Sequence, residues 1–326
     1  MTDGYAVLPH DSYGRDKGLF IASNLPYVLG SNIAGVIEQL GPEVTSFAVG
    51  DLVLGQGNPV ASLPDFAGLQ QFALLNTEAM CRVPDGYSID DAVTFPTNFT
   101  TSYVAMFHPK FFGLQNPSMS PRDRKLPPQT LVIIGGGSNC GRYGIQFAKM
   151  AGVERIITIA STANEAALKK LGATHVIDRH RLAAEIKEEV QRIVEGDGAT
   201  HVYDCISFDY SMPFSLLSST KKSTFVPLHT IDEELRMRLA QGRDVTVPHM
   251  FAIYHAVQPL ASEIWTTLAA MMESRTIEPA RYKIVEGFNL EAIERGLDSY
   301  RNMDTTDPFV VHLPTSWVIS SFKKVT

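Results

Sequence analysis

Leu131-Val132-Ile133-Ile134-Gly135-Gly136-Gly137-Ser138-Asn139-Cys140-Gly141 is the stretch from which the fold of this chain is read. Four apolar residues, three of them β-branched, suit a strand buried on both faces of a parallel sheet. Glycines follow with no polar spacer, so a tight turn comes next. Arg142 to Met150 then has helical spacing, with Gly141, Ile145 and Ala148 on one face. In such a strand, turn and helix the backbone can approach a pyrophosphate closely, and the free amides and positive dipole end of the helix stabilise its charge. Gly135, Gly136, Gly137, Ser138, Asn139, Cys140 and Gly141 are therefore candidate cofactor-binding residues. The spacing departs from a regular G-x-G-x-x-G, because Ser138 stands where the second glycine would fall and Gly137 serves instead. A second β-like run, Arg155 to Ala160, begins after the turn at Gly152 and completes a βαβ unit of about 30 residues.

Downstream the pattern keeps alternating. A helix is expected over Asn164–Leu171, strands over His175–Ile177 and His201–Cys205 with the helix Leu182–Val194 between them, and a further strand over Thr224–Leu228. Short connections between such elements imply a parallel, doubly wound sheet. Val245 to Ser274 is a long, weakly amphipathic region holding Met250, Phe251, Tyr254, Leu260, Trp265, Leu268, Met271 and Met272, read as core and interdomain packing rather than a substrate wall. The helix Leu290–Tyr300 and the strand Phe309–Leu313 close the chain. Upstream the character changes to short β runs: Val36–Leu40, a strand fed by the turn Gly50-Asp51, and further β-like runs between Phe66 and Val83. Residues 1–24 show no usable period, with Tyr5, Tyr13, Phe20 and Ile21 as apolar anchors. Ser88 reads as the N-cap of a helix with Asp91 at N3, Pro96 interrupts it, a second helix runs from about Thr100 to Phe107, and Pro109 to Pro128 is a linker or surface loop.

Composition bounds the function. The chain has 326 residues, about two domains' worth. A formal net charge of -7 argues against a nucleic-acid or anionic-membrane surface. Cys81, Cys140 and Cys205 are isolated, with no C-x-x-C pair, so a disulfide framework is not expected and a reducing compartment fits. No apolar run reaches about 18 residues and the start lacks a signal-peptide pattern, so the expectation is a soluble cytoplasmic protein. The nine histidines form no cluster at metal-ligand spacing.

Several ordered pieces resemble the medium-chain dehydrogenase/reductases, in their zinc-independent quinone and enoyl reductase branch. They are Pro26 to Val36, Gly41-Pro42-Glu43-Val44, Phe47 to Val53, Gly141 with Gln146 and Lys149, and Leu171 to Asp178. The wording is similar to fungal secondary-metabolism members related to the trans-acting enoyl reductases of polyketide assembly. The resemblance implies an α/β plus β fold: a GroES-like β domain built from both chain ends (1–112 and 272–326) and a Rossmann domain (113–271), with dimerisation through the Rossmann sheet edge common among members. Zinc alcohol dehydrogenases carry Gly-His-Glu where this chain has Gly30-Ser31-Asn32, a hydroxyl and an amide that bind zinc poorly, so no metal is expected. Members usually have some tens of residues before the equivalent of Tyr5, so the chain reads as shortened at its start.

NAD-selective Rossmann sites place an acid at the end of the second strand. Here that place reads Ile159-Ala160-Ser161-Thr162, so nothing repels a 2′-phosphate, Ser161, Thr162 and Asn164 can donate to one, and Arg179 is the nearest cation; NADP(H) is the expected cofactor. Without a Lewis acid, conjugate reduction is the simpler chemistry, since it needs hydride delivery, enolate stabilisation and a proton. The acceptor expected on this ground is an enone, enoyl or quinone group, and the resemblance implies that it is carried by a small hydrophobic or polyketide-like substrate. Asn98 to Tyr103 matches the family's helix start beside the nicotinamide, which implies Thr101 as a contact to the ring amide or ribose, Asn98 as a donor to the substrate oxygen and Tyr103 as a proton donor. Tyr103 is also read as a core aromatic, and Thr101 and Asn98 as helix caps. A carbonyl or alcohol oxidoreductase of the same fold, and a nucleotide-binding protein without hydride transfer, stay open as alternatives.

Overall fold

The computed structural model describes residues 2–58, 64–116, 130–250, 260–285 and 287–312. They form two compact units, 1–97 with 253–326, and 98–252.

The first unit is a six-stranded sheet in the order β11-β12-β1-β2-β3-β4. Its strands are β1 (Thr2–Val7), β2 (Asn32–Val36), β3 (Leu52–Gln56), β4 (Met80–Arg82), β11 (Lys283–Val285) and β12 (Phe309–His312). The two chain ends meet inside it: β1 pairs antiparallel with β12, Tyr5 opposite Val311, and with β2, Tyr5 opposite Ile33. Only the β11–β12 pair is parallel among these strands. Tyr5, Val7, Val311, Ile293 and Leu297 are buried together under helix α10 (Leu290–Arg301). Helix α1 (Pro9–Lys17) carries Pro at its start, ends at Gly18 in the left-handed region (φ 69°), and buries Asp11, Ser12 and Gly14. Its buried face is polar or glycine, which is why residues 1–24 show no hydrophobic period although they form a strand and a helix.

Helix α2 (Ile89–Val93) starts as expected, the Ser88 hydroxyl accepting from Asp91 N at 3.0 Å. Two upstream expectations are corrected. The strand lies at Asn32–Val36, preceding residues 37–40, because Ile33, Ala34 and Gly35 pair with Gly55, Leu54 and Val53 of β3. Between Phe66 and Val83 the structure has only β4 as a strand, the rest being turns and short 3-10 segments.

The second unit is a six-stranded parallel sheet in the order β10-β9-β8-β5-β6-β7. Helix α3 (Pro96–Phe107) starts earlier than expected, at Pro96, since proline is well placed in a first turn. Strands β5 (Thr130–Ile134), β6 (Arg155–Ala160), β7 (His175–Asp178), β8 (His201–Asp204), β9 (Ser223–Pro227) and β10 (Val245–Thr246) alternate with α4 (Asn139–Met150), α5 (Glu165–Leu171), α6 (Ala183–Val194), α7 (Ser211–Ser215) and α8 (Glu233–Ala240). Phe99, Tyr103 and Phe107 of α3 stand edge-on to Phe147 of α4, at centroid distances of 5.1, 5.7 and 5.5 Å. That aromatic packing makes residues 98–107 part of the second unit and moves the boundary upstream of the expected 112/113.

Helix α9 (Ala261–Glu273) belongs to the first unit, which moves the other boundary upstream of 271/272. Tyr87 donates to Met272 O at 3.3 Å and Arg275 lies over the Tyr87 ring at 3.9 Å. Trp265, Leu268, Met271 and Met272 are buried core, as read from the sequence. Phe251 and Tyr254, and residues 117–129 of the expected Pro109–Pro128 loop, lie outside the described residues.

Candidate dinucleotide site

Strand order locates the site. β5 has β6 and β7 on one side and β8, β9 and β10 on the other, so the order reverses between β5 and β8; ligands of such sheets bind outside the carboxyl ends of the strands at that point. The glycine turn leaves β5 there. Gly135 adopts φ +78° and packs on Ile206, which a Cβ would meet at 2.6 Å. A Cβ on Gly136 would reach Thr158 Oγ1 at 1.8 Å, and one on Gly141 would reach Gly135 O at 2.2 Å. At Gly136 and Gly141 the turn is folded onto its own strand and helix with no room for a side chain, which keeps backbone amides at its surface.

Ser138 is the N-cap of α4: its hydroxyl accepts from Gly141 N at 3.1 Å. Its occupation of a glycine position is thus a capping device. Replacing it with alanine is expected to lower stability by about 1 kcal/mol, read as a drop in unfolding midpoint with the fold retained. Asn139 and Cys140 follow in the first turn, both buried. The Cys140 thiol is pushed up to about 12 by burial, stays protonated and donates to Asn98 Oδ1 at 3.4 Å. Ser102 Oγ donates to Cys140 O at 2.8 Å and lies 3.1 Å from Tyr203 OH, tying α3 and β8 to the start of α4.

The candidates at the second strand come together. Ser161, Thr162 and Asn164 occupy the turn after β6, Asn164 N donating to Ser161 O at 3.0 Å. A Cβ on Gly137 would lie 3.3 Å from Asn164 Nδ2, so this amide sits against the glycine turn. Arg179 N donates to Ala160 O at 3.0 Å, placing an exposed arginine beside the same strand end.

On α3, Asn98 is buried and its Nδ2 has no hydrogen-bond partner among the described residues. Thr101 is half-buried. Tyr103, read from sequence as a proton donor, is placed in the core: it is fully buried, stacked on Phe99, and its hydroxyl accepts from Asn116 Nδ2 at 2.6 Å.

One group escaped the sequence reading. Asp204 ends β8 directly opposite Ile134, the residue before the glycine turn. Its Oδ1 accepts from the amides of Ile206 and Ser207 at 3.1 and 3.0 Å, and its buried Oδ2 has no hydrogen-bond partner among the described residues. Burial, opposed by those amides, raises its pKa above the ordinary carboxylate value. The signal was an acid closing a strand, but its meaning depends on which strand neighbours β5.

A cradle too tight for a Cβ at Gly136 and Gly141, at a switch point and with an orphaned polar atom beside it, fits the pyrophosphate and ribose of a dinucleotide. The chain belongs to the medium-chain dehydrogenase/reductase superfamily: residues 4–85 match the alcohol dehydrogenase GroES-like domain and residues 140–263 the zinc-binding dehydrogenase domain. It is 33% identical to the trans-enoyl reductase himH of Aspergillus japonicus over 62% of this chain and 56% of that protein. The chain spans about half the length of the first curated relatives it matches. Among solved structures, the CurK enoyl reductase superposes with a TM-score of 0.74 at 20% identity, covering 96% of this chain and 90% of that one. A mycobacterial protein, Rv1454c, solved with NADPH, superposes at 0.73 and 22%, with the same coverages.

The metal for which the matched domain is named finds no suitable donors at Gly30-Ser31-Asn32. Asn32 is fully buried and used at both ends of its amide, donating to Val93 O at 2.7 Å and accepting from Thr97 N at 2.9 Å. Ser31 Oγ is engaged by His10 Nε2 at 3.0 Å. Among the described residues no group of three or more His, Cys, Asp or Glu could hold a metal ion, and no helix is long and apolar enough to cross a membrane.

Proposed function

We propose that the chain is an NADPH-dependent, zinc-independent reductase of an activated carbon–carbon double bond, an enone, enoyl or quinone group on a small hydrophobic or polyketide-like substrate. The observation that carries this reading is the turn after β6, where Ser161, Thr162 and Asn164 follow a strand end with no acid among residues 159–162, Asn164 lies against the glycine turn and the backbone of Arg179 is bonded to Ala160, while the acid of the neighbouring strand, Asp178, stands opposite Ala160. Hydroxyls, an amide and a guanidinium suit a 2′-phosphate, whereas the ribose hydroxyls of NAD call for a carboxylate. The likeness to a trans-enoyl reductase and to an enoyl reductase structure supports the same reaction class.

A bound NADPH supplies the hydride. This chain's residues do the rest: the turn from Gly135 to Gly141 with the Ser138 cap holds the pyrophosphate, and the cluster at β6 takes the 2′-phosphate. Asn98, its carbonyl oxygen fixed by Cys140, offers Nδ2 as a donor, and Thr101 offers a hydroxyl on the same helix. Cys140 serves as a spacer and orienter, since its thiol remains neutral at any working pH.

NADPH is expected to raise the unfolding midpoint more than NADH at equal concentration, because a ligand binding only the native state stabilises it in proportion to affinity. Arg179→Glu should weaken NADPH binding about tenfold or more while leaving the NADH response in place, the usual scale of one charge-assisted hydrogen bond. Equal responses to both nucleotides in wild type and variant would remove the 2′-phosphate assignment. Loss of absorbance at the reduced-nicotinamide band with an enone and quinone panel tests the reaction itself.

A further inference from the structure

We propose that the first unit carries a binding site for a lipophilic amine, a small molecule with an apolar body and one ammonium group. The pocket concerned has a volume of about 520 Å³, inside the range of roughly 300–1,000 Å³ typical of small-molecule sites. It is formed within residues 33–80 and belongs to the β-rich unit alone, so the proposal stands independently of the reductase reading.

The sequence builds the pocket by leaving side chains out of it. β2 and β3 pair with Gly35 opposite Val53 and Ile33 opposite Gly55, which puts these four positions on one face of the sheet. Two of the four are glycines, so that face is hollow. A Cβ on Gly55 would meet Leu75 Cδ1 and Met80 Cβ at 2.9 Å each, so the chain at residues 75–80 lies directly on β3 and closes the floor. Ile33, Val53 and Met80 line the pocket and are buried. The walls are apolar and open to solvent, Phe72 being 46% exposed and Leu74 51%. Large apolar side chains left uncovered around a concave face mark a place where a ligand is taken up. These walls are held without any ligand. Leu74 N donates to Asp65 O at 2.7 Å. Phe47 is backed by the Arg82 guanidinium, which lies 4.9 Å from the ring centre and donates to Asp51 Oδ2 at 2.9 Å and Ser46 O at 2.8 Å.

Charge decides the ligand class. The polar side chains of the lining are Glu38, Gln39 and Thr77, and the one charge among them is negative. Glu43 and Glu78, both exposed, adjoin the lining residues Val44 and Thr77. Arg82, behind Phe47, is paired with Asp51. A fatty acid or other anion entering here meets like charge, whereas an ammonium group finds its counter-ion in Glu38 and leaves the apolar body to the floor. A second copy of the chain laid over the mouth would leave the floor empty and forfeit its packing contacts.

The test uses two dyes with the same dansyl body: dansylcadaverine, which ends in an ammonium, and dansyl-aminohexanoate, which ends in a carboxylate. Titrated into the full chain, dansylcadaverine is expected to shift its emission to the blue and to saturate at one dye per chain. Its affinity should exceed that of the carboxylate dye about three- to fivefold, the scale of one exposed ion pair. Glu38→Gln, at an exposed position, should bring the two affinities together with the unfolding midpoint unchanged. Ala73→Trp, which fills the pocket from its wall, should remove binding of both dyes while circular dichroism stays that of wild type; if this variant does not fold, Glu38→Gln decides alone. No saturable blue shift with dansylcadaverine, an unchanged preference in Glu38→Gln, or full binding by a folded Ala73→Trp overturns the site. So does a chain that sediments as a dimer and is dispersed to monomers by Phe72→Ser, because a second copy then covers the mouth. None of these results touches the reductase reading, which the nucleotide midpoint shifts and the enone and quinone panel test separately.

Discussion

Gly141→Ala should abolish the NADPH-induced rise in unfolding midpoint and destabilise the second unit by about 3 kcal/mol, the upper part of the range for overpacking. The reason is local and steric. The new methyl would fall 2.2 Å from Gly135 O and 2.7 Å from Gly136 Cα, and both are backbone atoms that cannot rotate away. Relief requires the turn to separate from α4, which takes the amides out of register with a pyrophosphate. For a unit of this size that loss corresponds to a drop of roughly 6–12 °C in midpoint. Gly137→Ala is the matched comparison, because its methyl would meet only the end of the Asn164 side chain at 3.3 Å. It should fold with a midpoint close to wild type and a reduced nucleotide response. A Gly141→Ala protein that folds and responds to NADPH normally would refute the role assigned to the turn.

Asp204 gives the second large effect, in opposite directions for two substitutions. Asp204→Leu leaves the amides of Ile206 and Ser207 without their acceptor in a buried site and is expected to cost about 2–5 kcal/mol. Asp204→Asn keeps an acceptor for both amides and removes a charge that burial disfavours, so it should be more stable than wild type near neutral pH. The sign comes from linkage. Because the folded-state pKa is raised, the native protein binds more protons than the unfolded chain between the ordinary carboxylate value and the raised one. The contribution of Asp204 therefore worsens as pH rises through that window and vanishes below it. Midpoints of wild type and Asp204→Asn measured from neutral pH downward should converge as the medium becomes acid. A constant gap across that range would mean that Asp204 is not titrating in the folded state.

The two regions were legible to different degrees for a physical reason. Strands such as Leu131–Ile134 and Arg155–Ala160 are buried on both faces and read as continuous apolar runs, and the helices between them present regular apolar stripes. Their succession along the chain could be written down with boundaries shifted by a residue or so, and candidate cofactor residues named at their ends. The β unit offers no such regularity. α1 buries Asp11, Ser12 and Gly14, and β1 is held by partners drawn from residues 32–36 and 309–312. Asn32, read in sequence only as a poor zinc donor, is a fully buried brace, while Tyr103, read both as a candidate acid and as a core aromatic, is core.

By itself the sequence determined the features that local pattern controls: a strand, glycine turn and helix at residues 131–150, the alternation around it, the missing acid after Ala160, and poor zinc donors at Gly30-Ser31-Asn32. Each of these depends on neighbours within a few residues, where sterics, hydrogen bonding and periodicity act directly. Only the tertiary structure decided the features that depend on pairing between distant segments. It set Asp204 beside the glycine turn, Cys140 on Asn98, and His10 on Ser31, because long-range contacts are fixed by strand order and packing, which no short-range pattern encodes.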